Sequence, residues 1–186
     1  MATTFQTIGH GTRPLHDFVE LLKSVAVTLV IDVRTVPRSR TNPQYNREVL
    51  PQSLEPFGIG YRHIASLGGL RGRAHEVPVE LNAFWHNDSF HNYADYALGD
   101  DFRDGLSRLR QLGHEQRCVI MCAETVWWRC HRRIITDYLL AAGEKVFHIL
   151  GPDHVEEAHM TEAAQLQADG RLFYAAAQPA QRDMFE

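Results

Sequence analysis

Three short apolar runs decide what this chain can fold into. They are Thr28 to Val33 (TLVIDV), Arg117 to Met121 (RCVIM) and Val146 to Leu150 (VFHIL). Each has the length of a strand, and none alternates polar with apolar residues. A run of that kind reads as a strand covered on both faces, which is the habit of parallel sheets. Amphipathic helical patterns lie between them. Leu15, Phe18, Val19 and Leu22 recur at helical spacing over residues 14–24, with Thr12 as a candidate cap. Asp101 opens a second pattern, with Phe102, Leu106, Leu109 and Leu112 on one face and Gly113 as the stop. A third covers residues 129–142, with Ile134, Ile135, Tyr138 and Leu139 inward and Gly143 as the stop. Weaker strands are expected at Thr4 to Ile8 and Gly60 to Ile64. Buried strands alternating with helices predict an α/β fold, layered, with a largely parallel sheet and helices on both faces.

The expected organisation is one domain over residues 1–174 and a C-terminal tail over 175–186. Residues 35–46 and 65–80 read as loops, and the polar segment 151–170 as helical in part. A chain of 186 residues can bury a core without a metal or disulfide staple. Three cysteines make no disulfide framework, and the N-terminus shows no secretory pattern, so a cytoplasmic location is expected. No apolar stretch approaches the roughly 18 residues of a membrane span. A formal net charge of −4 argues against a global electrostatic grip on nucleic acid. The local pattern differs. Of 19 basic residues only Lys23 and Lys145 are lysine, and from Val33 to Arg47 there are four arginines and no acidic residue. Arginine is the better fork for phosphate.

In open α/β sheets, ligands bind outside the carboxyl ends of the strands. The predicted strand ends carry Gly9-His10-Gly11-Thr12, then Asp32-Val33-Arg34 with Arg38 and Arg40, then His63, then Cys122-Ala123-Glu124. Cys130-His131-Arg132 opens the helix that follows the last of these. Cys122, between a strand and a helix start, is the candidate nucleophile, its thiol lowered by the helix dipole and nearby cations. The alternative is a small buried hydrophobe, which is the reading for Cys118. Glu124 and His131 are candidate proton carriers. Asp32 either joins them or anchors its loop. His10, Arg34, Arg38, Arg40, His63, Cys130 and Arg132 are candidate binding residues. No cofactor is expected. A metal held by Cys122, Cys130 and His131 is the minor alternative, because the gap between the cysteines is not that of zinc ribbons.

Taken together, Thr7-Ile8-Gly9-His10, Asp32-Val33-Arg34 with Pro37, Ser39 and Arg40, Tyr61 and His63, Leu67-Gly68-Gly69, Met121-Cys122-Ala123-Glu124, Cys130-His131-Arg132 and His148-Ile149 resemble the domain-of-unknown-function 488 family. The resemblance implies an α/β domain with signature residues on strand-end loops, and no known reaction. Where such proteins often carry a proline, this chain has Val126-Trp127-Trp128, a stacking surface or a core cover. A looser likeness is to rhodanese and cysteine-phosphatase domains, although Arg129 follows Cys122 one position later than the phosphatase spacing. The tail segment Gln181-Arg182-Asp183-Met184-Phe185 is similar to the pentapeptide by which bacterial repair proteins bind the sliding clamp, with Met184 and Phe185 as apolar anchors and Gln181 as a polar latch.

The leading expectation is an enzyme acting on a phosphate-bearing substrate, a nucleotide or nucleic acid. The alternatives are a non-catalytic replication or repair module recruited by its tail, and a rhodanese-like or phosphatase-like small-molecule enzyme.

Overall fold

The computed structural model describes residues 3–176, so Gln181, Met184 and Phe185 lie outside the described residues. Five strands run parallel: β1 (Thr4–Gly9), β2 (Leu29–Asp32), β3 (Gly60–His63), β4 (Cys118–Cys122) and β5 (Lys145–Gly151). A sixth, β6 (His154–Glu157), pairs antiparallel with β5, and the sheet order is β3-β2-β4-β1-β5-β6. The two central apolar runs, β2 and β4, are buried at every residue, as covering on both faces requires.

The helices divide by face. On one side, α1 (Leu15–Ser24) and the short α2 (Leu50–Leu54) pack Phe18, Leu22, Leu50 and Leu54 against Ile8, Val30 and Val119. On the other, α3 (Asp88–Tyr96), α4 (Asp100–Glu115) and α5 (Arg132–Ala141) pack Tyr93, Phe102, Leu109, Ile135 and Leu139 against Phe5, Ile31 and Ile120. The layered α/β expectation therefore holds. A small hairpin, β7 (Ala164–Leu166) with β8 (Leu172–Tyr174), closes the second face through Leu172 and Tyr174. Among the described residues no helix is long and apolar enough to cross a membrane.

This topology makes the crevice. From β2 the chain departs toward α2 on one face, whereas from the neighbouring β4 it departs toward α5 on the other. Loops that diverge at adjacent strand ends leave a gap between them, the switch point where α/β sheets bind ligands.

Several local expectations are corrected. Residues 151–170 supply β6 and β7 and no helix. The chain reverses at Asp153, whose φ is +55°, and returns as an edge strand whose polar side chains face water. Gly113 does not stop α4, which continues to Glu115. It is a close-approach residue: a Cβ there would lie 2.2 Å from the Phe5 ring. Thr12 does not cap α1, since Pro14 occupies the cap position. Gly99 takes the cap of α4, leaving Asp100 and Asp101 in its first turn to oppose the helix dipole. Helix α3 is not among the elements expected from the sequence. Its signals were present: the Asn87 side chain accepts from the N–H groups of Ser89 and Phe90, and Phe90, Tyr93, Ala94 and Ala97 fall on one face.

Candidate active site

A cleft of about 680 Å³ opens at the carboxyl ends of β1, β2 and β4. The turn after β1 contributes His10 to Thr12. The loop after β2 contributes Arg34, Val36, Arg38, Ser39 and Asn42. Gly69 and Leu70 form one wall, Ser89 and Phe90 of α3 another, Cys122, Cys130 and His131 lie at the floor, and Ala123 to Thr125 and Arg129 complete the lining. Of the charged residues lining it, three are arginines (Arg34, Arg38, Arg129) and one is acidic (Glu124). Arg34 and Arg38 are ion-paired with Asp32 and Glu48, and Arg129 is in no ion pair among the described residues.

The sulfur of Cys130 gathers the polar contacts at the floor. Arg132 Nε–H donates to it at 3.3 Å, His131 Nδ1 lies 3.6 Å away, and the Cys122 sulfur lies within 4.8 Å. The histidine's role follows from its other nitrogen. Nε2 lies 2.9 Å from the Val33 carbonyl, which can only accept, so Nε2 carries a proton. Nδ1 is then the atom that exchanges a proton with Cys130. Gly69 packs against this ring so closely that a Cβ would sit 2.5 Å from Nδ1, which gives Leu67-Gly68-Gly69 a physical purpose. Tyr93 meets the ring edge-on at 5.0 Å and fixes the Leu67 carbonyl through its hydroxyl at 2.8 Å.

The electrostatics reverse the expected roles of the two thiols. Burial alone would raise Cys130, but the neighbouring Cys122 thiol, the Arg132 guanidinium and His131 outweigh it and hold the thiol well below its usual range. Cys122 is pushed well above that range, first by the neighbouring Cys130 sulfur and then by burial. The expected lowering falls on Cys130 and not on Cys122, because the cations and the start of α5 sit beside Cys130. Cys118 is plain core, raised to about 12 by burial.

The remaining sequence candidates separate into three groups. Asp32, Arg34 and His10 form a buried scaffold at the end of β2. Asp32 Oδ1 accepts from Arg34 N and Nε at 3.0 and 2.9 Å. Its Oδ2 accepts from Arg34 Nη2 and the Tyr61 hydroxyl, both at 2.6 Å. Asp32 is fully buried and does not line the cleft, which makes it an anchor of its loop. Arg34 also donates to the Tyr45 carbonyl and to His10 Nε2. His10 stacks on Tyr45 and donates from Nδ1 to the Gly11 carbonyl. Burial first, with help from Arg34, lowers it to about 4, so it stands neutral. Arg132 forms the second group. It is 1% exposed and spends its donors on Cys130, Thr7 and the Glu124 carbonyl, positioning the floor instead of reaching into the cleft.

The third group faces solvent. Glu124 is on the rim, with Oε1 accepting from Val126 N–H at 3.3 Å. Arg38 lines the cleft while paired with Glu48. Arg40 is exposed and outside the lining, and His63 donates to the Arg34 carbonyl at 2.7 Å away from the cleft. Trp127 stacks on the buried His148 at 4.4 Å as core cover, while Trp128 is about half exposed. Among the described residues, Cys122, Cys130 and His131 are the one cluster whose donors, all within 4.8 Å, suit a soft metal ion. The Arg132 guanidinium already supplies positive charge at that point.

A family model described as "Domain of unknown function DUF488" matches residues 14–139. The chain belongs to that family. The match includes both cleft cysteines, His131, Arg132 and the Asp32–Arg34 scaffold; His10 and His148 lie outside it. No curated protein and no solved structure matches the chain.

Proposed function

We propose that the protein is a thiol-dependent enzyme acting on a phosphate-bearing substrate, a nucleotide or nucleic acid, with Cys130 as its nucleophile. The observation that carries the reading is the convergence of Arg132 and His131 on the Cys130 sulfur, in a cleft lined by three arginines. A thiolate, and not a thiol, is the attacking form, and these neighbours favour it. His131 takes or returns the proton through Nδ1, and Arg129 and Arg38 at the cleft wall meet the phosphate charge. Asp32, Arg34 and Arg132 act as positioning residues. This differs from a phosphatase loop, in which the nucleophile would stand at Cys122. The free cysteines agree with a protein working in a reducing cytoplasm.

Protection from alkylation tests it. Cys130 reacts with iodoacetamide, and inorganic phosphate, vanadate or nucleoside phosphates slow that reaction saturably. Arg129→Gln weakens the protection. If none of these anions changes the Cys130 alkylation rate, the phosphate-bearing substrate is wrong. Recruitment through Gln181, Met184 and Phe185 rests on their sequence pattern. Deleting residues 181–186 then removes binding to a bacterial sliding clamp, and an intact chain that does not bind the clamp removes the recruitment reading.

A further inference from the structure

Cys122 has no role in the chemistry above, yet its sulfur and that of Cys130 lie within 4.8 Å of each other. Both line the cleft, and they are 9% and 4% exposed. They come from separate elements, the last residue of β4 and the loop before α5, so closing a bond between them strains neither a strand nor a helix interior.

We propose that Cys122 is a resolving thiol for Cys130, and that the pair is a reversible oxidation site for hydrogen peroxide or a small hydroperoxide. The inference rests on Cys130 being the reactive sulfur and not on the identity of the substrate. The Cys130 thiolate attacks one peroxide oxygen, the O–O bond breaks, and hydroxide leaves and is protonated to water. Cys130 is then a sulfenic acid. The Cys122 sulfur attacks it, the S–O bond breaks, and the Cys122 proton leaves with the hydroxyl as a second water. One peroxide is reduced and two thiols become one disulfide. The sulfurs need only close from within 4.8 Å to about 2.05 Å. A dithiol reverses the product by exchange.

Two features separate this pair from a chance juxtaposition. Arg132 and His131 hold positive or proton-donating groups against Cys130 alone, so the two sulfurs are chemically unequal: one forms the sulfenic acid and the other attacks it. Cys118, four residues before Cys122, is fully buried and does not line the cleft, so it stands as an internal control. The consequence is a nucleophile that is switched off reversibly under oxidation instead of advancing to the irreversible sulfinic acid.

The test treats the full chain with hydrogen peroxide, blocks free thiols with iodoacetamide and maps the peptides by mass. The expected product is a peptide pair joined through Cys122 and Cys130, two hydrogens lighter than the reduced pair and restored by dithiothreitol, with Cys118 still alkylated. In Cys122→Ser, dimedone traps a Cys130 sulfenic acid, and over-oxidation to sulfinic acid runs at least about tenfold faster than in the unsubstituted chain. A wild-type chain that goes directly to Cys130 sulfinic acid, with no linked peptide, overturns the proposal. So does one zinc ion per purified chain that blocks disulfide formation. Fast Cys130 alkylation without a disulfide removes this inference and leaves the nucleophile reading intact, whereas a Cys130 that resists alkylation removes both.

Discussion

At the scale of single residues, the site depends on which way hydrogen-bond donors point. Cys122 and Cys130 are both buried thiols at strand-to-helix junctions, and their spacing to Arg129 or His131 does not rank them. The ranking comes from Arg132 Nε and His131 Nδ1, which both face Cys130. Gly69→Ala tests this directly. Its Cβ would fall 2.5 Å from His131 Nδ1, so the ring must shift and Cys130 loses its proton partner. The pH midpoint of Cys130 alkylation is expected to rise by about one unit; an unchanged midpoint contradicts the role given to His131. The sequence pattern did mark His131, Arg132 and both cleft cysteines, because a Cys-His-Arg run opening a helix is chemically conspicuous. It could not show that Arg34 and Arg132 spend their donors inside the protein. That depends on partners far along the chain, Tyr45 and Thr7 among them.

The two buried histidines give a pH prediction at the same scale. His10 and His148 are lowered from 6.5 to about 4, in both cases chiefly by burial. Between those values the unfolded chain binds protons that the folded chain refuses, so stability rises with pH across the window. It is fully present above about 6.5 and is lost as pH falls toward 4, on the order of 3 kcal/mol per histidine. Urea midpoints measured from pH 7.5 to 4.5 should fall accordingly, and His148→Asn should flatten the slope. Midpoints independent of pH over that range would show that neither imidazole is held neutral.

Among the elements, the strand ends carry the scaffold and α3 carries a wall. Asp32 at the end of β2 accepts from Arg34 three times, once from its backbone N–H and twice from its guanidinium, and once from Tyr61. Asp32→Asn leaves an uncompensated guanidinium and is expected to cost about 3–5 kcal/mol, read as a fall in denaturant midpoint. A cost under about 1 kcal/mol would mean that water reaches the pair. Gly113→Ala forces a Cβ into the Phe5 ring and should destabilise by roughly 1–3 kcal/mol, although alanine is the better helix former. The main strands and helices were legible because their apolar residues keep a regular period. α3 was not read, because its few apolar residues are interleaved with Asn, His and Asp and its cap follows a Trp-His-Asn run. β6 was misread because an edge strand open to water has a loop's composition.

For the molecule as a whole, the sheet order turns separate sequence motifs into one cavity. β4 lies between β2 and β1, so Arg34, His10 and Cys122 end side by side although they lie 24 to 112 residues apart in the chain. The crossovers to α2 and α5 leave on opposite faces and hold the mouth open between them. Everything proposed about function then reduces to the state of one sulfur at the bottom. The most direct measurement is the rate of iodoacetamide modification of each cysteine between pH 5 and 9, resolved by peptide mapping. Cys130 should already react near its plateau rate at pH 6 to 7, below the roughly 8.5 of a free thiol, with Cys122 and Cys118 far slower throughout. If Cys122 titrates first, or if Cys130 begins to react only above pH 8.5, Cys130 is not the activated thiolate.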